Sequence, residues 1–221
     1  MQDFPDNDID DQDELDAFFK LNDPSAPVKE IELPELGEKQ RKVKLKSLVQ
    51  DLSSDNPVKV KKAISAINVY GDESIIEPCA DALLKNLDLE IEENILYLLA
   101  SIKSTKVIEP LMKAIADLKY FPVRRQLISS IWNMKVDFSD HLSTFVHLAV
   151  DGDFMVALEC LTVIENLNGP FEEENVLEAQ VALKNYAEAS FAKDEKAHLI
   201  SEIAIIIKDI DRNLGEGLDE D

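Results

Sequence analysis

Apolar residues recur along most of this chain at the three- and four-residue steps of a helix. Leu45, Leu48, Val49 and Leu52 sit at i, i+3, i+4 and i+7, and Leu199, Ile203, Ile206 and Ile210 repeat the spacing near the other end. Between Glu38 and the region of Arg212 no stretch sustains the two-residue alternation of a half-buried strand. The pattern predicts an all-α domain over residues 37–212. The chain holds six glycines, and Gly152, Gly169 and Gly215 fall in predicted loops.

The helical pattern also repeats. The segment SIIEPCADAL that begins at Ser74 matches KVIEPLMKAI beginning at Lys106, so that Ile76, Glu77, Pro78 and Ala82 return 32 residues later as Ile108, Glu109, Pro110 and Ala114. Upstream, Ala63, Ala66, Ile67 and Tyr70 pair in the same way with Ile95, Leu98, Leu99 and Ile102. The stripe reappears at Val123, Leu127, Ser130, Ile131 and Met134, and again at Val156, Cys160, Val163, Ile164 and Leu167. Each unit then reads as a first helix with this stripe, a short turn, and a second helix burying positions such as Ile76, Cys79, Ala80 and Leu83. Pro78 and Pro110 lie near the start of that second helix, where most N–H groups have no intrahelical partner and proline is tolerated. One hairpin cannot bury both of its stripes, and a period in the low thirties points to stacked hairpins.

Pro122, Val123 and Arg124 at a helix start, and the turn Tyr70-Gly71-Asp72, give residues 57–170 a likeness to HEAT repeats. The chain resembles that family, including its shorter bacterial-type units. The resemblance implies an α-α superhelix, a solenoid of stacked antiparallel hairpins with second helices on the concave side. Asp117 and Arg124 fit the Asp–Arg ladder of the family, whereas Glu92 stands where the second unit should carry the arginine, and the third turn, with Phe138 and His141, is two residues longer. A helix over about 38–52 and another over 193–212 read as caps, the latter with Lys196, Glu202, Lys208, Asp209 and Arg212 facing water, and residues 170–189 read as a long second helix of the fourth unit.

Charge changes the picture at the ends. The chain has 221 residues with 45 acids against 23 bases, a net charge of −22. Such a surface repels phosphate backbones and anionic membranes, so neither nucleic acid nor membrane is an expected partner. Residues 1–36 carry twelve acids and only Lys20 and Lys29 as bases, together with Pro5, Pro24, Pro27 and Pro34, and read as an acidic, mostly disordered tail. Within the tail, Leu15, Phe18 and Phe19 are either scattered hydrophobes or a short docking motif. Residues 213–221 form a second acidic tail. Directly after the first, Lys39, Arg41, Lys42, Lys44, Lys46, Lys59, Lys61 and Lys62 face only Asp51 and Asp55. This basic patch is a solvated helix face, a surface screened intramolecularly by the acidic tail, or a site for an acidic or phosphorylated partner.

Candidate chemistry adds little. There is no Gly-rich phosphate loop and no His-Glu-x-x-His, Cys-x-x-Cys or Gly-x-Ser-x-Gly motif. His141 and His147 are six residues apart, off the i, i+4 spacing of a helical metal pair. Asp137, Asp140 and His141, like Glu92 and Glu172 with their acidic neighbours, read as favourable charges at helix starts. Cys79 and Cys160 lie in apolar helical patterns as small core residues of a reducing compartment. The N-terminal stretch has no apolar core of a signal peptide, and the expected location is the cytoplasm. The expectation is therefore a non-catalytic protein–protein scaffold that needs no cofactor or metal. The resemblance leaves as the alternative an accessory subunit of an enzyme system, such as a bilin-lyase-like HEAT protein. The partner-binding candidates are Glu77, Asp81, Lys85, Glu109, Lys113, Thr144 and His147 on second helices, with Trp132 either a packing residue or an exposed anchor.

Overall fold

The computed structural model describes residues 38–54, 56–70, 72–85, 89–190 and 194–217. All of them belong to the second of two units into which the chain divides, 1–37 and 38–221. Among the described residues every regular element is helical. The α-helices are α1 (Glu38–Leu52), α2 (Pro57–Tyr70), α3 (Ile76–Leu83), α4 (Leu89–Ala100), α5 (Ile108–Ala116), α6 (Arg124–Ile131), α7 (Leu142–Asp151), α8 (Phe154–Glu165), α9 (Glu173–Ser190) and α10 (Ala197–Gly217).

Local chemistry sets where they begin. Asn56 accepts from the amide of Val58, and Pro57 follows it at the first helical position, where its fixed φ suits the helix and its missing N–H costs nothing. Asp72 and Ser104 cap single 3-10 turns by accepting from Ser74 and Lys106, Asp117 caps the six-residue 3-10 segment Leu118–Val123 by accepting from Lys119, and Asp153 caps α8 through the amide of Val156. The turns at Glu73–Ile75, Thr105–Val107 and Ser139–His141 lead into α3, α5 and α7. The first two are spaced by the sequence period, and the third starts two residues late, as the longer third turn requires.

Packing follows the repeat. Each helix packs on one neighbour in sequence, α1 on α2, α3 on α4, α5 on α6, α7 on α8 and α9 on α10, and on a helix two places away: α2 packs on α4, α4 on α6, α6 on α8 and α8 on α10, while α1 packs on α3, α3 on α5 and α7 on α9. The buried residues form one apolar cluster running from Leu45 on α1 to Ile207 on α10. Ile67 and Leu99, which share one repeat position, are fully buried, and so are Leu127 and Cys160, which share the position one helical turn earlier, and Ile76, Cys79 and Ala80 of the second helix α3. Phe138 and Phe145 meet edge to face with ring centroids 6.5 Å apart. The two thiols are free and buried; burial raises Cys79 to about 12 and pushes Cys160 higher still, which leaves both protonated and unreactive in the folded protein.

Three expectations change. Gly215 lies inside α10, which runs on to Gly217 rather than giving way to a tail after Arg212. Arg124 and Asp117 do not form a ladder: the Arg124 Nε donates to the carbonyl of Ile115 at 2.8 Å and the guanidinium lies over the Phe121 ring, while Asp117 caps the adjoining 3-10 turn. Both residues serve helix ends left with unpaired backbone groups.

The third concerns Lys196, expected in water. It is buried, and its ammonium donates to the carbonyls of Ala149, Val150 and Gly152 where α7 ends. A cation at a helix C-terminus satisfies orphan carbonyls and the negative end of the dipole together. Gly152 makes the close turn possible, because a Cβ there would stand 2.5 Å from a Val156 methyl and 2.7 Å from the Leu148 carbonyl oxygen. Glu202, Lys208, Asp209 and Arg212 do face solvent, the last two as an ion pair at 3.1 Å.

Candidate functional site

The first-helix row carries a groove of about 790 Å³ that crosses α4 and α6 and reaches α8. Its apolar lining is Leu96, Tyr97, Ala100 and Trp132. Tyr97 is 71% exposed and Trp132 46% exposed, so two aromatic rings lie open to solvent in one concave surface. The repeat explains the hollow. Thirty-two residues separate Ala100 from Trp132 and Tyr97 from Ser129, so each large ring occupies a position that is small in the neighbouring unit. Large and small side chains thus face one another across α4 and α6 and leave space between them that none of the described residues fills.

Charges flank the rings. Glu93 and Glu159 line the groove from within α4 and α8, and Lys103 and Lys135 line it from the turns after α4 and α6. Burial raises the titration of the Glu159 carboxyl, opposed by Arg125 at 4.0 Å. A second hollow of about 310 Å³ shares Trp132 and Lys135 with the first and continues to Asn166 and Asn168.

The second-helix candidates are placed less freely than expected. Glu77, Glu109, Lys113 and His147 are exposed and Thr144 is half-buried. Asp81 is engaged within the domain: the Tyr120 hydroxyl donates to it at 2.9 Å and Lys119 forms an ion pair with it, tying α3 to the 3-10 turn Leu118–Val123. Lys85 donates to the carbonyl of Ser53 just past α1. Both residues hold the domain together, a role their spacing did not reveal because their partners lie more than thirty residues away.

The basic patch is divided by the fold. Lys39, Lys44, Lys46, Lys59 and Lys62 are exposed, while Lys61 pairs with Glu90 across α2 and α4. Arg41 and Lys42 meet Lys103 and Lys106 around a hollow of about 670 Å³, with Asp72 and Glu73 on its wall. Burial works to raise the Asp72 carboxyl, but hydrogen bonds from Ser74 together with Arg41 and Lys42 outweigh it and hold it below the usual range. Leu15, Phe18 and Phe19 lie outside the described residues.

Among the described residues no group of three His, Cys, Asp or Glu side chains is placed to hold a metal ion, and no helix is long and apolar enough to cross a membrane. No protein-family model matches the chain, and no curated protein matches it in sequence.

Proposed function

We propose that this protein is a non-catalytic scaffold or adaptor, built as a solenoid of HEAT-like hairpins, whose docking groove lies across α4, α6 and α8. The observation that carries the reading is the pair of exposed rings, Tyr97 and Trp132, in one groove. Aromatic side chains exposed in a concavity are costly to leave hydrated and are the commonest anchors of protein interfaces. The alternating contacts from α2 to α10 support the stacked arrangement, and the open period-32 lining suits an extended or helical segment of a partner. That partner presents apolar side chains to the two rings, basic groups toward Glu93 and Glu159, and acidic groups toward Lys103 and Lys135.

The test is a comparison of native-lysate captures by the full chain and by its Tyr97→Ala and Trp132→Ala variants, with unchanged melting curves as the folding control. Proteins held by the full chain are expected to be lost to both variants. For an isolated partner the affinity drops roughly thirtyfold per ring, the size of an interface hot spot. Retention of the same proteins at the same strength by both variants would remove the groove from the account.

A further inference from the structure

The Tyr97–Trp132 groove does not end at Lys103. Asn68, Ser101 and Lys103 also line the hollow of about 670 Å³ beside it, so the two cavities share one wall. In that wall the Ser101 hydroxyl stands 3.1 Å from the Asn68 side-chain oxygen, and both residues are exposed. Across it the lining changes character. The groove presents its rings, whereas the neighbouring hollow is lined by Arg41 and Lys42 of α1 together with Lys103 and Lys106, which flank the Ser104 cap of the turn before α5. All four cations are exposed. Among the described lining residues Asp72 and Glu73 are the acids, and Asp72 is already engaged, accepting from the amide and the hydroxyl of Ser74 at 3.0 and 2.5 Å. Four cations against two carboxylates leave a local excess of positive charge on a chain whose net charge is −22.

The repeat shows how the lysines are placed. At the position that follows the first helix, the aligned units carry Gly71, Lys103, Lys135 and Asn168. Lysine stands there only in the two units that present Tyr97 and Trp132. A lysine beside a helix C-terminus favours the dipole, but the other two units do without it, so the dipole alone does not account for the pair. Packed helices lie about 8–10 Å apart, and α4 packs on α6, so the two cations follow one edge of the groove at a spacing of that order.

We propose that this hollow is the second half of the docking site and takes a run of Asp or Glu side chains adjoining the apolar anchor of a partner polypeptide. The inference rests on the groove's being the docking site and names the chemistry that lies next to the anchor. The cations come from α1, from the segment before α5 and, in the groove, from the turn after α6. Such a distributed set suits several single carboxylates better than one phosphate dianion. The net charge of −22 disfavours an acidic segment at most other places on the chain, so charge directs it to this edge and fixes its direction along the groove.

Binding to the full chain is read at low salt as the fluorescence anisotropy of a labelled peptide in which glutamates flank a leucine–phenylalanine pair. The probe is expected to bind saturably and to weaken as salt rises to physiological strength, where exposed charges are screened beyond about 8 Å. Its counterpart with glutamine in place of glutamate is expected to bind about tenfold more weakly or worse, the loss of several exposed charge pairs. Lys103→Gln combined with Lys106→Gln is expected to weaken the acidic probe about tenfold and to leave the glutamine peptide unchanged. Both lysines are exposed, and the cap at Ser104 uses the backbone amide of Lys106, so this variant keeps the fold. Lys59→Gln combined with Lys62→Gln, at exposed lysines outside the hollow, controls for net charge and is expected to leave the affinity in place. No saturable binding of the acidic probe, equal affinity for the glutamine peptide, or equal loss in the two lysine pairs would overturn the inference. Inorganic phosphate that displaced the probe at the probe's own concentration would assign the hollow to a phosphate group and overturn the carboxylate run. Tyr97→Ala separates this inference from the reading on which it rests. If it weakens both peptides while the Lys103 and Lys106 variant weakens neither, the groove stands and the acidic extension falls. If the lysine variant weakens the acidic probe and Tyr97→Ala changes neither peptide, the groove reading falls and the joined site falls with it.

Discussion

Phe145→Ala is expected to destabilise the domain by about 3–5 kcal/mol, a loss typical of a large aromatic side chain removed from a packed core. Phe145 is fully buried on α7 and meets Phe138 edge to face, so truncation removes the ring's own burial and one face of its neighbour's packing. The cost is high because α7 has little freedom to collapse into the space. It packs against α8 on one side and α9 on another, and its end is fixed by Lys196. A loss of this size is a large share of the stability of an ordinary domain, about 5–15 kcal/mol in all. Urea unfolding followed by circular dichroism measures it. A loss below about 1 kcal/mol, the range of surface substitutions and mild core changes, would mean that the Phe138–Phe145 layer is not packed as described.

Lys196→Met is expected to cost about 2–4 kcal/mol, from loss of a buried, charge-assisted donor to several carbonyls. Methionine keeps the length and the apolar stem, so the substitution isolates the ammonium. Its carbonyl partners at Ala149, Val150 and Gly152 are then left with the desolvation of burial and no charged donor. The effect should be local before it is global. Lys196 precedes the first turn of α10 and ties it to the end of α7, 44 or more residues earlier in the chain. Hydrogen exchange is therefore expected to rise first in residues 197–203, ahead of α2 to α6. Uniform acceleration across the domain, or none, would show that Lys196 does not anchor α10.

Both predictions rest on features that the sequence disclosed unequally. The helices and their buried stripes were legible because a period of 3.6 and a repeat of 32 residues are properties of residue order. Ile67, Leu99, Leu127 and Cys160 had to be interior if the segments were helical at all. Caps were legible for the same local reason, as Asn56 before Pro57 shows. Lys196 was not. A lysine at the start of an amphipathic helix ordinarily belongs in water, and only the approach of three distant carbonyls reverses that. Asp81 and Lys85 failed in the same way, their partners set by tertiary contact rather than by spacing.

Trp132 was recognisable as a possible anchor, whereas its groove was not. The expected docking face was the row of second helices, and the larger aromatic hollow lies on the first-helix row. The signal was present in the aligned repeats: tyrosine against serine and alanine against tryptophan at a shift of 32. Buried stripes draw attention to what the units share, while a groove arises where adjacent units differ in side-chain volume.

The docking groove is tested most directly by a photo-crosslinking amino acid placed at position 97 in cells, with the same group at Leu118 as the control. Leu118 is 81% exposed and lies outside the groove. The account expects discrete, light-dependent adducts with one or a few proteins from position 97, abolished by Trp132→Ala, and none of these from position 118. Identical adducts from both positions, or none from position 97, would contradict the assignment of the Tyr97–Trp132 groove as the place where this protein meets its partner.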